Sequence, residues 1–295
     1  MEENRKAIQA VQDYIKEHLT DTITLFELSK VANYSVFHLE RMFKEIVGIR
    51  LFDYIRKLRL TEAAKTLRDG KSKVLDTAFD FTFDSHEGFT RAFTKEFGIS
   101  PNRYKKNPVP LPYFISYKVL LKPLPEILKK ENSTMSAKVI FTQIIERSKR
   151  KAIIKRGVKA EDYFAYCEEA GCDVWGVLTS IKEALFEPAG FWLSDNYIKK
   201  GTSKYVQGVE VPSDYSGEVP EGFELIDLAP CTYLVFNGQP FNDEDFMEEI
   251  GIVKDAIEDF KPEVYGYTWD DTAPRFQLEP WGYRGYIEAK AIKKI

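Results

Sequence analysis

Arg41 and Arg91 lie fifty positions apart, and the residues around them correspond. The first copy reads Ser35-Val-Phe-His-Leu-Glu-Arg41-Met-Phe43, then Gly48-Ile49; the second reads Ser85-His-Glu-Gly-Phe-Thr-Arg91-Ala-Phe93, then Gly98-Ile99. Ser, Arg, Phe, Gly and Ile recur at one offset, so a short helical unit is present twice. A guanidinium is a planar fork of N–H donors that matches the paired acceptors of a guanine edge or a phosphate. Two units with one such Arg each suit two stretches of DNA. The far half of the chain carries different chemistry. Glu279 and Glu288 stand among Trp175, Trp192, Trp269, Tyr205 and Tyr233. A desolvated carboxylate among aromatic faces suits an organic cation, although any one of these rings would serve equally well as core filler.

The elements that must position the arginines are helices. Ile8, Val11, Ile15 and Leu19 recur at spacings of three and four, the stripe of an amphipathic helix. Thr24 is placed to cap a short helix bearing Leu25, Leu28 and Val31, and Asn33 sits where the chain must turn. Ser35 caps the next helix, which offers Leu39, Phe43, Ile46 and Val47 to a core. Residues 51–68 read as one long helix that joins the two copies. Residues 74–81 and 85–97 repeat the helix–turn–helix pattern, and Gly98-Ile-Ser-Pro101 is read as the end of the last long helix.

Residues 108–135 read as a connector, because Pro108, Pro110, Pro112, Pro123 and Pro125 interrupt regular structure. The part from Tyr113 onward is too apolar for a free tether and is expected to pack on a domain. From residue 136 strand patterns dominate: 138–146, 151–156, 191–193, 205–211, 223–228, 232–236, 264–268, 275–278 and 285–292. Helices are expected at 163–185 and 243–260. The fold expected is thus multidomain: an all-α domain at 1–107, a linker at 108–135 and an α+β domain of antiparallel sheet at 136–295.

Composition removes several classes. No apolar run approaches the ~18–20 residues of a membrane span, and the charged start is no secretion signal, so a cytoplasmic protein is expected. Cys167, Cys172 and Cys231 form no CxxC pair, and His18, His38 and His86 all lie in the other half; neither a disulfide scaffold nor a metal site is expected. The net charge of −4 divides unevenly: residues 1–107 hold 19 Lys/Arg against 16 Asp/Glu, the remainder 23 against 30. The mild basic excess belongs to the half that would meet phosphate. No cofactor motif is present, and no His or Cys forms a catalytic set with Glu279, so an enzyme is not expected.

Asp76-Thr-Ala78, Phe83-x-Ser85, Phe89-x-Arg91-x-Phe93, Phe97-Gly98-x-Ser100-Pro101 and Tyr104 resemble the signature of AraC/XylS transcription regulators. The resemblance covers about 5–106 and departs at both turns, where Asn33 and Thr82 replace a usual Gly. It implies that Phe37, Glu40 and Arg41, with Lys44 nearer the backbone, read one major groove, and that His86, Glu87, Thr90 and Arg91 read the next. Ser35 and Ser85 would cap their helices and touch phosphate. It also implies promoter DNA and RNA polymerase as partners, and activation as the output.

The second half resembles GyrI-like effector-binding domains through Cys172-Asp-Val-Trp175-Gly, Tyr205-Val-Gln-Gly-Val-Glu-Val, Pro220-x-Gly222, Gly266-Tyr-x-Trp269, Pro274-Arg-Phe-Gln-Leu-Glu279-Pro and Gly285-Tyr-Ile-Glu288. That resemblance implies a duplicated strand–helix–strand–strand unit with a ligand cleft between the copies. The cleft residues expected are Trp175, Tyr205, Tyr233, Trp269 and Glu279, with Glu288 next. The alternatives are a small-molecule hydrolase or a protein-interaction module behind the DNA reader.

Overall fold

The computed structural model describes residues 2–116, 119, 139–171 and 173–295. The chain divides into two compact units, Met1–Lys129 and Lys130–Ile295.

The first unit is helical: α1 (Glu2–Glu17), α2 (Leu25–Ala32), α3 (Val36–Val47), α4 (Leu51–Arg68), α5 (Val74–Asp80), α6 (His86–Phe97) and α7 (Pro101–Lys106). It holds two cores. Ile8, Val11 and Ile15 of α1, Leu28 of α2 and Leu39 and Phe43 of α3 enclose Leu51, Tyr54, Ile55 and Leu58 of α4. Leu60, Ala63, Ala64 and Leu67 of the same helix pass into a second core with Val74, Ala78, Phe89, Phe93, Phe97 and Tyr104. One half of α4 therefore belongs to each helical copy, and its apolar residues run around the helix because it is covered from different sides along its length. Helix α7 was not expected. Ser100 and Pro101 read as a stop, yet Ser100 accepts from the Arg103 N–H at 3.4 Å and Pro101 occupies the first turn, a start signal.

Over its described part, the connector expected from residue 108 packs on the helical unit. Leu111 and Tyr113 are buried in the second core, while Phe114 and Val119 pack on the first. The hydroxyls of Tyr104 and Tyr113 lie 2.8 Å apart, the Phe114 N–H donates to Thr61 Oγ1 at 2.9 Å, and the Val119 carbonyl accepts from Arg5 Nε at 3.1 Å. The stretch is a strap across both helical copies. The prolines give it an extended path, and its apolar side chains hold it down. The rest of the expected linker, 120–135, lies outside the described residues. Tyr113→Phe leaves a buried Tyr104 hydroxyl without its partner and should cost about 1–2 kcal/mol, read as a lowered far-UV circular dichroism melting midpoint. An unchanged midpoint would show that the hydroxyl pair does not hold the strap.

The second unit contains β1 (Phe141–Arg147), β2 (Arg150–Arg156), α8 (Tyr163–Ala170), α9 (Asp173–Ser180), β3 (Ala189–Trp192), β4 (Tyr205–Pro212), β5 (Glu224–Leu228), β6 (Cys231–Asn237), α10 (Phe246–Asp259), β7 (Tyr267–Trp269), β8 (Arg275–Gln277) and β9 (Ile287–Lys294). One antiparallel sheet runs β1-β6-β9-β8-β3-β4-β2-β5, with β7 also on β9. Its order is the same from both edges: β2, β4 and β3 on one side of the middle mirror β6, β9 and β8 on the other. The middle pair is Phe191 opposite Phe276.

Two expectations change. The helix expected at 163–185 is two helices, broken where Gly171 takes φ 80°. The strand expected at 264–268 begins only at Tyr267, because Pro262–Tyr265 forms a 3-10 turn that ends at Gly266 with φ 78°. The neighbouring strands expected at 138–146 and 151–156 do not pair with each other: β1 pairs with β6, and β2 with β4 and β5.

The pairing register sorts the side chains by face. Phe191, Val206, Tyr233, Val235, Phe276, Ala289 and Ala291 share one face, where they join Ile154 and Leu228 in one cluster. The other face is covered in two places. Ile153, Tyr205, Val209 and Val211 meet Val174 and Leu178 of α9, and Leu234, Phe236 and Ile292 meet Val253 and Ile257 of α10.

Candidate functional site

Each helical copy presents its second helix by the same local device. In the first, Thr24 and Glu27 form a reciprocal capping box that starts α2. At its end the Asn33 N–H donates to Lys30 O and the Tyr34 N–H to Ser29 O, both at 3.1 Å, a Schellman closure. Asn33 takes φ 55°, and Ser35 then accepts from the His38 N–H at 3.4 Å to open α3. In the second, the Thr82 N–H donates to Phe79 O at 2.9 Å and the Phe83 N–H to Ala78 O at 3.0 Å. Ser85 accepts from the Gly88 N–H at 3.0 Å to open α6. This turn is one residue longer, with Asp84 between the closure and the cap.

Thr82 carries a cost that Asn33 does not. Its φ is 58°, a region where a β-carbon costs roughly 1–2 kcal/mol, and its hydroxyl is buried without a hydrogen-bond partner among the described residues. Thr82→Gly removes both defects, against about 0.5–1 kcal/mol of backbone entropy. The helical unit should gain about 1–2 kcal/mol, visible as a raised melting midpoint. A lower midpoint would mean that the Thr methyl contributes packing that outweighs the strain.

The exposed face of α3 carries Phe37, Glu40, Arg41 and Lys44, with Phe37 84% exposed. Arg41 donates to His38 Nδ1 at 3.3 Å and lies 3.9 Å from Glu45. Both contacts are solvent-facing and worth little, so they leave the guanidinium free to exchange partners. On α6, Glu87 and Arg91 are exposed and His86 is half-buried; Arg91 has no ion pair among the described residues. Thr90 departs from expectation, because its hydroxyl is buried with no hydrogen-bond partner among the described residues. The inner side of α6, formed by Phe89, Phe93 and Phe97, is held by edge and tilted ring contacts 4.8–5.6 Å apart.

In the second unit, the middle of the helix-bearing face, between the clusters under α9 and α10, is polar. The register places Tyr205 opposite Trp192, Trp192 opposite Arg275, and Gln277 opposite Glu288. Tyr205 and Glu288 are fully buried. Gln277 Nε2 donates to the Tyr205 hydroxyl at 3.0 Å, and the Tyr286 hydroxyl donates to Glu288 Oε2 at 2.7 Å and lies 2.8 Å from Gln277 Oε1. Arg275 Nε donates to Glu288 Oε1. Burial pushes the hydroxyls of Tyr205 and Tyr286 well above the usual phenol range. Gly190 is required here, since a β-carbon would fall 2.0 Å from the Tyr205 hydroxyl. Beside this network opens a cleft of about 680 Å³, lined among others by Trp192, Lys204, Asp270, Arg275 and Lys290.

Of the six residues expected in a ligand site, Tyr205 and Glu288 meet in this network. Trp269 does not line the cleft: it packs with the α10 cluster, and its ring meets the cleft's Lys290, whose Nζ lies 4.3 Å from its centre. Tyr233 does not belong: it lies on the opposite face, donating to the Pro274 carbonyl at 2.9 Å. Glu279 lies beyond the end of β8, its carbonyl accepting from Arg284 at 2.9 Å. The chain leaves the strand before Pro280, so the alternation from Gln277 does not continue. Trp175 is buried on α9 and does not line the cleft. Sequence reading missed Trp192, Arg275, Gln277, Tyr286 and Lys290 as a set, because only the cross-strand register brings them together.

Among the described residues no group of His, Cys, Asp and Glu could hold a metal ion, and no helix is long and apolar enough to cross a membrane.

Twin capped helices, each with an exposed Arg behind a tight turn, define a helix-turn-helix DNA-binding protein. A family model described as a helix-turn-helix domain matches residues 28–107. The HTH-type transcriptional activator AarP of Providencia stuartii is 37% identical over 98 residues, 33% of this chain and 73% of that protein. The multiple antibiotic resistance protein MarA of Salmonella typhimurium is 34% identical over 98 residues, 33% and 77%. The Right origin-binding protein of Escherichia coli (strain K12) is 39% identical over 95 residues, only 33% of its own length. A solved structure, the C-terminal domain of AraT from Geobacillus stearothermophilus, matches at 29% identity and a TM-score of 0.33 over 34% of this chain and 84% of that one. The chain belongs to the AraC-type family of DNA-binding transcription regulators.

Proposed function

We propose that this protein is a one-component transcription activator whose first unit reads promoter DNA and whose second unit binds a small organic effector. Ser35, Phe37, Glu40, Arg41 and Lys44 serve one groove, and Ser85, His86, Glu87 and Arg91 the next, with Thr90 packing rather than reading. Residues 136–295 form the effector domain, a GyrI-like duplication in which β2-α8/α9-β3-β4 corresponds to β6-α10-β8-β9. The mirrored strand order supports that reading, and the polar cleft at its middle supports an effector there. RNA polymerase is the partner through which activation would act, in the cytoplasm. A hydrolase has no observation in its favour: both oxygens of the buried Glu288 are already engaged, so it is not placed to activate water.

The observation that carries the DNA reading is the repeated cap-and-arginine device on α3 and α6. Selection of duplexes from a random library by the full chain tests it. The expected product is a motif with two contact regions about one helical turn, roughly 10 base pairs, apart. Its binding constant should fall steeply with salt as phosphate counterions are released. Recovery of a single short half-site, with a shallow salt dependence, would count against two readers.

A further inference from the structure

We propose that the cleft of the second unit takes an organic anion, a carboxylate or sulfonate on a flat apolar body, and that Arg275 sets this choice. The inference rests on the effector-site reading above and reverses the cation expected from acids among aromatics.

Glu288 is the only acid of that expectation that meets the cleft network, and it is already satisfied. It is fully buried; Arg275 Nε engages one oxygen and the Tyr286 hydroxyl the other at 2.7 Å. A ligand cation would have to displace a guanidinium that occupies the position the ligand needs, with Trp192 4.9 Å from the Arg275 guanidinium carbon. Arg275 itself fills the role of the aromatic-bound cation.

The same arrangement leaves the other side of the guanidinium open. Arg275 is 32% exposed and lines the cleft. Only its Nε is engaged in a hydrogen bond among the described residues, so the two terminal amino groups remain as a paired donor for a planar anion. Lys290 follows Glu288 on the same face of β9 and also lines the cleft. Burial, and then the nearby Arg275, pull its ammonium below the usual lysine range, with Asp271 and Glu288 opposing; an anion between the two cations would relieve that. Trp192 supplies a flat wall, and about 680 Å³ suits a drug-sized molecule.

The cleft is also lined by Glu161, Asp195, Asp270 and Asp271. Glu161, Asp195 and Asp271 are exposed, where water and salt screen them. Asp270 accepts from the Thr272 N–H at 3.1 Å and the Thr272 hydroxyl at 2.7 Å. Lining charge by simple sum is therefore not the guide. Depth is: the half-buried Arg275 and Lys290 act through less water than the acids at the rim.

Isothermal titration calorimetry of the full chain with three probes sharing one ring system tests this: 1-naphthoate, 1-naphthamide and 1-naphthyltrimethylammonium. Naphthoate should bind at least tenfold more tightly than either of the others. Arg275→Ala should lose that advantage and gain affinity for the ammonium probe, because Glu288 is then released. Arg275→Gln with Glu288→Gln removes the paired donor and the buried carboxylate together, leaving only Lys290, so most of the naphthoate advantage should vanish without a gain for the ammonium probe; it also covers the case in which Arg275→Ala fails to fold. Ammonium bound by the unaltered chain as tightly as naphthoate, or a preference unchanged by either variant, overturns the anion assignment while leaving an effector site standing. Absence of binding by all three probes overturns the effector-site reading, and the anion assignment with it.

Discussion

Alanine at both Arg41 and Arg91 should lower affinity for the selected duplex by on the order of 10²–10⁴-fold. Each guanidinium that pairs with a guanine edge contributes roughly 1–3 kcal/mol, and the two stand on separate helices with no shared partner, so their losses should add. The folded state should hardly notice. Among the described residues Arg41 makes only solvent-facing contacts, to His38 and Glu45, and Arg91 is exposed; surface changes of this kind stay within about 0.5 kcal/mol. Fluorescence anisotropy of a labelled duplex at fixed salt measures the loss, with circular dichroism melting as the control for folding. The single variants carry further information. If each lowers affinity for every sequence equally and flattens the salt dependence, the contacts are to phosphate; if each relaxes preference at one position, they are to bases. Full affinity in the double variant would remove α3 and α6 as reading helices.

Arg150→Met should destabilise the second unit by about 3–5 kcal/mol. Arg150 is 2% exposed and anchors four places at once. Its Nε donates to Glu210 Oε1 at 2.6 Å, its Nη1 to the carbonyls of Ser148 and Ala229 at 3.3 and 3.1 Å, and its Nη2 to the Tyr233 hydroxyl at 3.4 Å. Methionine fills most of the volume but leaves the Glu210 carboxylate, itself 5% exposed, with Arg147 at 3.9 Å as its remaining cation. Removing one partner of a buried pair strands the other's charge. Adding Glu210→Leu should recover most of the loss, since a buried pair replaced by apolar groups is often neutral. All four tryptophans lie at 175 or beyond, so their fluorescence during urea unfolding follows this unit. A midpoint shift no larger for Arg150→Met than for the double variant would mean that Glu210 never depended on the pair.

The helical copies were legible because their signals are local. Thr24, Ser35, Ser85 and the 51–68 helix act within a turn or two of chain. Asn33 could be read as left-handed for the same reason, and Thr82 as the misfit at the matching turn. The strap was half-legible: prolines announced an irregular path, but the burial of Leu111 and Tyr113 depends on surfaces made by α4, α6 and α7. The cleft was the least legible part. Both faces of the sheet are buried, so alternation alone cannot tell Tyr233 from Tyr205. Glu279 and Glu288 look alike in sequence, and only the pairing of Gln277 with Glu288 sets one at the middle of the sheet. Arg275 reads as an ordinary strand residue until that pairing makes it the neighbour of a buried acid.

The strap also bears on how such a chain can be recombined. The stretch that matches the helix-turn-helix family model stops at residue 107, which would look like a natural seam for joining this DNA-binding unit to a different second unit. Cut there, the second core loses Leu111 and Tyr113, the first loses Val119, and the hydroxyl of Tyr104 faces an empty space. The transferable piece therefore runs through residue 119. A gene fusion that preserves it inherits a connector whose Leu111, Tyr113, Phe114 and Val119 already pack into the cores of the helical unit, and any change in reach between the two units has to be made beyond residue 119.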